Sequence, residues 1–348
     1  MSSPQSQQPA AGPALGSPIL EVDDLHVEFR TRSGVVNAVN GVSYAVHERE
    51  TLAILGESGS GKSVSAQAIM GILDSPPAVI TGGGIHFEGR DMLGLPEDEQ
   101  RTIRGDGISM IFQDALSALN PVYSVGFQIG EMFRAHRGTS RKEAKKKAVE
   151  LMDRVRIPGA ASRVNDYPHQ FSGGMRQRVM IAMAIALDPR ILIADEPTTA
   201  LDVTVQAQVM DLLKELQRDT GMGLILITHD LGVVNEVADN VAVMYAGKIV
   251  ERGSVDDVFT NPSHPYTVGL MRSIPEVGAR SGRLQPIGGQ PPNLAAIPSG
   301  CPFHPRCSRR VLEGAPPGKN CRSDVPVLRL VAPGREAACH YSEEVLGV

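Results

Sequence analysis

The stretch that decides the fold is Gly56-Glu57-Ser58-Gly59-Ser60-Gly61-Lys62-Ser63, directly after the apolar run Thr51-Leu52-Ala53-Ile54-Leu55. It fits the pattern G-x-x-x-x-G-K-[ST]. Glycines let backbone N–H groups turn toward phosphate oxygens without a Cβ in the way. We expect Lys62 to reach the β- and γ-phosphates of a nucleotide and Ser63 to bind Mg²⁺, with a helix dipole aimed at the anion. A merely flexible Gly/Ser loop is the alternative, and the position after a strand and before a helix argues against it.

The length and the net charge of the chain limit the classes of protein to which it can belong. The 348 residues predict one large domain plus an appendage. The 34 basic and 39 acidic residues give a net charge of −5, so nucleic acid is not an expected partner. No apolar run approaches the roughly 18 residues of a membrane span, and the N-terminus lacks a signal-peptide pattern. We therefore expect a cytoplasmic protein.

The order of patterns along the chain predicts an α/β fold. Residues 1–17 are expected to be a disordered tail. Alternation over 19–46, around a turn at 30–34, predicts antiparallel strands. Four apolar runs at 52–55, 108–112, 191–194 and 224–228 predict strands buried on both faces of a sheet. Residues 18–271 would form the main domain, with a helical subdomain at about 114–188, and 272–348 a Pro/Gly-rich extension.

A second apolar strand ends in two acids, Asp195 and Glu196. Consecutive carboxylates at a sheet edge are costly to bury unless a cation compensates them. We assign Asp195 to Mg²⁺, directly or through water, and Glu196 to polarising the attacking water as general base. The alternative is a helix N-cap.

Further motifs resemble those of ABC-transporter ATPases. QFSGGMRQR at 170–178 resembles the signature motif, although Met175 replaces the usual glutamine; Gln113 resembles the Q-loop glutamine, Asp202 the D-loop aspartate and His229 the switch histidine. Phe29 stands about where an aromatic stacks on adenine. The resemblance implies a P-loop ABC cassette with a RecA-like core, an antiparallel β subdomain and a helical subdomain, spanning nearly all of 19–271.

The resemblance also implies a shared reaction centre. Ser172, Gly173 and Gly174 would form a second anion cradle, and a single chain needs only one for its nucleotide. In the family, two ATPases pair head to tail, and each signature closes on the γ-phosphate held by the other. The residues expected to bind ATP are Phe29, Gly56, Ser58, Gly59, Ser60, Gly61, Lys62, Ser63, Ser172, Gly173, Gly174 and Asp202.

Two of the expected catalytic residues have ordinary alternatives. His229 could be a satisfied core histidine, but it follows a buried strand and is expected to contact the γ-phosphate. Gln113 could be a surface residue, but just past a strand its amide can bind Mg²⁺ and sense a neighbouring subunit. With Lys62 and Glu196, they complete the expected catalytic set, and Ser63, Gln113 and Asp195 form the expected Mg²⁺ set.

Longer segments are similar to the ATPase subunits of dipeptide and oligopeptide importers, as in IADEPTTALDVTVQAQVMDLL and NPSHPYT. This likeness implies an ATP hydrolase that drives peptide uptake from the cytoplasmic face of the membrane as a peripheral subunit. Its partners would be a second ATPase subunit, two membrane permease subunits and an extracytoplasmic substrate-binding protein. Close relatives carry nickel, so a nickel or other small-solute importer stays open, as do a non-transport ABC ATPase and an iron–sulfur sensor.

All four cysteines, Cys301, Cys307, Cys321 and Cys339, lie in the extension. In a reducing compartment this clustering favours metal over disulfides, and a metal would stabilise a region poor in apolar periodicity. Their spacing fits neither the usual zinc pairs nor ferredoxin patterns, so the residues alone indicate four thiolates and no particular metal. The resemblance to importer ATPases implies a [4Fe–4S] cluster, with zinc or unligated thiols as the alternatives.

Overall fold

The computed structural model describes residues 16–199, 201–273, 287–311 and 313–347. The tail expected to be disordered falls almost entirely outside them. Two sheets organise the described chain. The first is antiparallel, in the order β2-β1-β4-β5. Its strands are β1 (Leu20–Thr31), β2 (Gly34–Val46), β4 (Ala78–Phe87) and β5 (Arg90–Asp91). The hairpin predicted over 19–46 is confirmed, with Thr31 opposite Gly34.

The second sheet carries the four strands predicted from the apolar runs. They are β3 (Thr51–Leu55), β6 (Ile108–Ile111), β7 (Ile191–Asp195) and β8 (Gly223–Ile227). They lie side by side and parallel in the order β3-β8-β7-β6. Their carboxyl ends therefore meet at one edge of the sheet, which is where an α/β fold places its site.

Both faces of these strands are buried, as predicted. Along β7, Ile191 and Ile193 enter the apolar cluster beneath the antiparallel sheet, whereas Leu192 and Ala194 enter the cluster beneath the helices. Successive strand residues point to opposite faces, so one continuous apolar run can supply two cores. The sheet is the shared wall between the two subdomains.

The helical subdomain predicted between β6 and β7 is present. It comprises α3 (Ala115–Ala118), α4 (Val125–Arg137), α5 (Arg141–Arg154), α6 (Ala160–Arg163) and α7 (Gly173–Ala184). The basic run at 141–147 is a solvated helix face, as expected, since Ala144 is its one buried member.

The remaining helices cover the sheet or flank the antiparallel subdomain. They are α1 (Lys62–Met70), α2 (Glu97–Ile103), α8 (Val203–Thr220), α9 (Leu231–Val237), α10 (Val255–Thr260), α11 (Pro265–Arg272) and α12 (Ser342–Leu346). Among the described residues, no helix is both long and apolar enough to cross a membrane.

The C-terminal extension is packed onto the cassette. Beyond β9 (Asn240–Tyr245) and β10 (Lys248–Ser254), the sheet continues through β12 (Arg335–Ala337) and β11 (Arg329–Ala332), both from the extension. A third apolar cluster joins Tyr245 and Tyr266 to Phe303 and Cys307. The extension thus shares both a sheet and a core with the ATPase domain.

Gly126 in α4 offers a test of how tightly the helical subdomain is packed. A Cβ added there would lie 2.4 Å from the carbonyl oxygen of Val164, to which the Gly126 N–H also donates. We expect Gly126→Ala to lower the free energy of unfolding by about 2 kcal/mol, as overpacking does. Chemical denaturation measures the change. Gly130→Ala is the matched control, because its Cβ would be 3.4 Å from its nearest neighbour; equal destabilisation by both would contradict this packing.

Candidate active site

The loop between β3 and α1 requires glycine at two points. Gly56 has φ +152° and Gly61 has φ +103°. A Cβ at Gly56 would lie 2.3 Å from the carbonyl oxygen of Met244, and one at Gly61 would lie 2.3 Å from that of Ala38. Any larger residue would strike these backbone atoms, so close packing against β9 and β2 fixes the path of the loop.

Lys62 closes this loop from inside. Its Nζ donates to the carbonyl oxygens of Gly56, at 2.8 Å, and Glu57, at 3.0 Å. Burial lowers the pKa of Lys62, although the nearby carboxylates, Glu196 first among them, oppose that shift. The ammonium group is therefore largely withdrawn from water and held inside the loop by its two hydrogen bonds to backbone carbonyls.

Asp195 faces the first turn of α1. The Ser63 hydroxyl donates to its Oδ1 at 3.0 Å. Burial raises the pKa of Asp195, and the Ser63 hydrogen bond opposes that rise. A hydroxyl and a carboxylate oxygen placed together suit Mg²⁺, which prefers hard oxygen ligands and binds through few protein groups. The donor set here fits that ion.

Glu196 is held by three side chains from three parts of the chain. Its Oε2 accepts from Gln113 Nε2 and from the Thr199 hydroxyl, both at 2.9 Å. Its Oε1 lies 3.4 Å from His229 Nδ1. Its backbone has φ +45°, a strained conformation for this residue, and its N–H donates to Ile227 in β8. These contacts fix the orientation of the Glu196 carboxylate at the edge of the sheet.

The pKa of Glu196 reflects these contacts. Burial raises it, but the Thr199 hydrogen bond and the neighbouring His229 outweigh burial, and the pKa lies below its usual value. The carboxyl is therefore ionised at neutral pH. An ionised, oriented carboxylate beside a buried lysine can accept a proton from water.

The structure also decides two alternatives left open above. The His229 side chain is 65% exposed, so the core-histidine alternative is wrong. No helix begins at Asp195 or Glu196; after them the chain turns, and α8 begins at Val203. The helix-cap alternative for these two acids is therefore wrong as well.

The other expected nucleotide contacts lie apart from the loop. Ser172 caps α7, accepting from the Met175 N–H at 3.4 Å, and Asp202 caps α8, accepting from Val205 at 2.9 Å. Gly173 and Gly174 form the first turn of α7. Phe29 lies half-buried in β1 against the cluster beneath the antiparallel sheet. The described hydrogen bonds include none from this set to the loop at 56–63.

Two family models match the chain. An ABC transporter model matches residues 39–199, and an oligopeptide/dipeptide transporter C-terminal region model matches residues 250–313. The dipeptide transport ATP-binding protein DppD of Bacillus subtilis is 53% identical over 88% of this chain and 92% of its own length. The oligopeptide transport ATP-binding protein OppD of Salmonella typhimurium is 48% identical over 98% of this chain and 99% of its own.

The chain belongs to the ATP-binding subunits of peptide ABC transporters. Such a subunit hydrolyses ATP and couples the reaction to transport. Its fold is the P-loop ABC cassette, as predicted: the cassette MJ0796, solved as a dimer after hydrolysis with ADP and Pi, aligns with TM-score 0.61 and 28% identity over 68% of this chain and 98% of its own. The cassette cbiO1 of Clostridium perfringens aligns with TM-score 0.60 and 28% identity over 73% and 95%.

Two features of this ATP-binding subunit were not expected from its sequence. Thr199 holds Glu196, and its place in TT after the acids could have indicated this. Glu57, inside the loop, accepts from Arg306 of the extension. Because 249 positions separate those two residues, no local pattern links them.

Thr199→Val is expected to change the pH dependence of ATP hydrolysis. Removing the hydroxyl removes a hydrogen bond that lowers the pKa of Glu196, so this pKa should rise. A base works when deprotonated, so the acid limb of the kcat profile should move to higher pH. Thr204→Val, at an exposed position of α8, is the control and should leave the profile in place. An unmoved acid limb in Thr199→Val would separate Glu196 from the ionisation that limits turnover.

Proposed function

We propose that this subunit drives the uptake of dipeptides or oligopeptides by hydrolysing ATP at the edge of the parallel sheet. The observation that carries the proposal is the ionised Glu196 carboxylate, held by Thr199, Gln113 and His229 beside the buried Lys62. A phosphate seated on the loop would lie within reach of both groups. The nickel importer remains the alternative cargo class.

Each residue at this edge takes one role in the proposal. Lys62 turns from the loop carbonyls to the β- and γ-phosphates, which replace those carbonyls as its partners. Ser63, Asp195 and Gln113 would hold Mg²⁺, which would supply positive charge to neutralise the phosphate oxygens. Glu196 takes the proton of the attacking water, and His229 faces the γ-phosphate from the end of β8.

The ATP site is proposed to be shared between two ATPase subunits paired head to tail. Ser172 and Gly173, at the start of α7, are exposed, and none of the described hydrogen bonds joins them to their own chain's loop, so they would be available to a phosphate held by a partner. Asp202, at the start of α8, would lie at the same junction, and Phe29 would stack on adenine. The dimer reported for MJ0796 supports this arrangement.

Two permease subunits are proposed to dock in the cleft beside Gln113. An apolar groove of about 270 Å³ there is lined by Phe112, Met132, Met180 and Met183, and Phe112 is 40% exposed. Phe112 immediately precedes Gln113, which donates to Glu196. A permease segment in the groove would therefore act on the general base through one peptide unit, linking the cytoplasmic face of the membrane to hydrolysis. Cargo selection would belong to the permeases and an extracytoplasmic binding protein.

Glu196→Gln is expected to leave ATP binding intact and slow turnover by about 10²-fold or more, because the amide cannot accept the proton. Binding is measured by calorimetry and turnover by phosphate release. Glu150→Gln, on the exposed face of α5, is the matched control and should hydrolyse ATP normally. Normal turnover in Glu196→Gln would remove Glu196 from the role of base.

The same variant tests the cargo in cells. With Glu196→Gln as the one copy of the subunit, uptake of a labelled dipeptide should fall with ATPase activity, while uptake of labelled nickel stays at its starting level. Loss of nickel uptake with peptide uptake intact would assign the transporter to nickel instead.

We further propose that the four cysteines hold a metal centre, a [4Fe–4S] cluster or, alternatively, zinc. All four line one cavity of about 30 Å³, and the Cys301 N–H donates to the Cys321 carbonyl at 2.9 Å. Burial raises the pKa of Cys301 to about 12, and the other three sulfurs add to the rise. Burial likewise raises the pKa of Cys307 and Cys339, so these thiols need a cation to become thiolates, and the four soft donors around one cavity fit a thiophilic metal.

The geometry of the cysteine cavity limits which metal centre could bind there. Within the described chain, no group of three or more His, Cys, Asp or Glu is arranged to hold a metal ion. A cavity of about 30 Å³ has room for roughly two water molecules, so the cysteines would have to rearrange around a single ion, and their loops would have to move apart for a cubane cluster. A four-thiolate cluster leaves no iron open and would supply structure or redox sensing.

The colour and the elemental composition of the purified protein distinguish an iron–sulfur cluster from zinc. A cluster gives the purified protein a brown colour with broad absorption at about 400 nm, and replacement of all four cysteines by serine should remove it. Because the chain has no other cysteine, no other thiolate can supply the signal. Zinc without iron on elemental analysis would replace the cluster with the alternative.

A further inference from the structure

The C-terminal extension makes a direct contact with the nucleotide loop. Arg306 donates from Nη1 to Glu57 Oε2 at 2.6 Å and from Nη2 to Glu57 Oε1 at 3.0 Å. The Arg306 side chain is 5% exposed, and its Nε donates to the Gly288 carbonyl. A two-pronged pair this well buried is stronger and more directional than a surface ion pair.

Aromatic rings hold this pair in place. The Glu57 N–H donates to the Tyr266 hydroxyl at 2.9 Å, so both the backbone and the side chain of Glu57 are fixed. Tyr245 packs on Tyr266 and Phe303, with ring centroids 4.6 and 5.3 Å apart, and the Arg306 guanidinium lies 5.8 Å from the Tyr245 ring. Aromatic packing between the main domain and the extension thus holds Arg306 next to the loop.

A second contact reaches the other wall of the loop. The Asn37 N–H in β2 donates to the Leu294 carbonyl of the extension at 3.3 Å. The next residue, Ala38, is the one whose carbonyl oxygen leaves no space for a Cβ at Gly61. The extension therefore contacts the turn directly at Glu57 and also contacts β2 next to the residue that packs against Gly61.

We propose that Arg306 is a positioning residue for the nucleotide: the bridge to Glu57 holds the loop in its phosphate-binding shape, so the extension sets ATP affinity from within the same chain. The inference rests on the proposed ATP site and extends it to residues outside the cassette. Arg306 touches neither the phosphates nor the attacking water; it acts through Glu57. Its neighbour Cys307 lines the cysteine cavity, so whatever fills that cavity adjoins the bridge.

Positioning and simple charge predict opposite results at Glu57. If the bridge matters only as charge, Glu57→Gln removes a negative group near the phosphates and tightens binding. If the bridge positions the loop, Glu57→Gln breaks it and weakens binding, although a negative charge has been lost. Arg306→Ala weakens binding on either account, so the comparison of the two variants decides.

The test measures the Kd of full-length protein for the Mg²⁺ complex of a non-hydrolysable ATP analogue, by calorimetry. We expect Arg306→Ala to raise the Kd about 10-fold, within the range of coupling between sites. Glu57→Gln should also raise it, the double variant should be no worse than Arg306→Ala, and Arg306→Lys should recover part of the loss. In hydrolysis, KM should rise more than kcat falls.

Arg310→Ala is the matched control, because this exposed arginine of the same loop donates to the Pro305 carbonyl and should leave the Kd unchanged. Unchanged Kd in Arg306→Ala, tighter binding in Glu57→Gln, or additive effects in the double variant would overturn the proposal. If Arg306→Ala does not fold, Glu57→Gln and Arg306→Lys carry the test. Failure of the unmodified protein to bind the analogue would instead overturn the proposed ATP site.

Discussion

The parallel pairing of β3, β8 and β7 is the constraint on which the site depends. It brings the ends of three strands, and so Leu55, Ile227 and Asp195, to one edge of the sheet. These strands are buried on both faces, and a register slip of one residue would exchange the two cores. That register determines the relative positions of three parts of the site: the loop at 56–63, the acids at 195 and 196, and His229. Apolar packing thus sets the distances on which the chemistry relies.

Charge is the second constraint at this edge. Lys62, Asp195 and Glu196 are partly or fully withdrawn from water; Lys62 lowers the electrostatic cost of burying the two carboxylates, whereas the carboxylates oppose each other. In the proposed site, phosphates would replace the backbone carbonyls as partners of Lys62, and the Ser63 hydroxyl and the Asp195 carboxylate would bind a hard cation. The strained Glu196 backbone is stabilised by the hydrogen bond from its N–H to the Ile227 carbonyl and by those that reach its side chain. The same few charged and hydrogen-bonded groups therefore determine what the site would bind, how the Glu196 carboxylate is oriented and that it is ionised.

The C-terminal extension is structurally integrated with the ATPase domain and is not a separate appendage. It adds strands to the main sheet, shares a core with α11 and reaches the nucleotide loop through Arg306. Buried polar contacts support this packing: Arg335 of the extension donates to the Ser263 hydroxyl at 2.9 Å and lies 4.0 Å from Glu251, which is 1% exposed. A region of low apolar periodicity can be well ordered when its partner supplies most of the core. The cysteine cavity and the ATP site are then two ends of one connected structure.

The sequence by itself determined the loop, the four parallel strands, the helical insertion and the family, because each is written in a local period or a contiguous motif. It also indicated Glu196, since paired acids after an apolar strand are costly unless used. Only the tertiary structure decided that Thr199 and Gln113 converge on this carboxylate, that His229 is exposed, and that Arg306 grips Glu57. Those contacts join residues up to 249 positions apart, and their partners are selected by the sheet register and the packing of the extension. Local propensity carries no information about such distances, which is why they appear once the chain is folded.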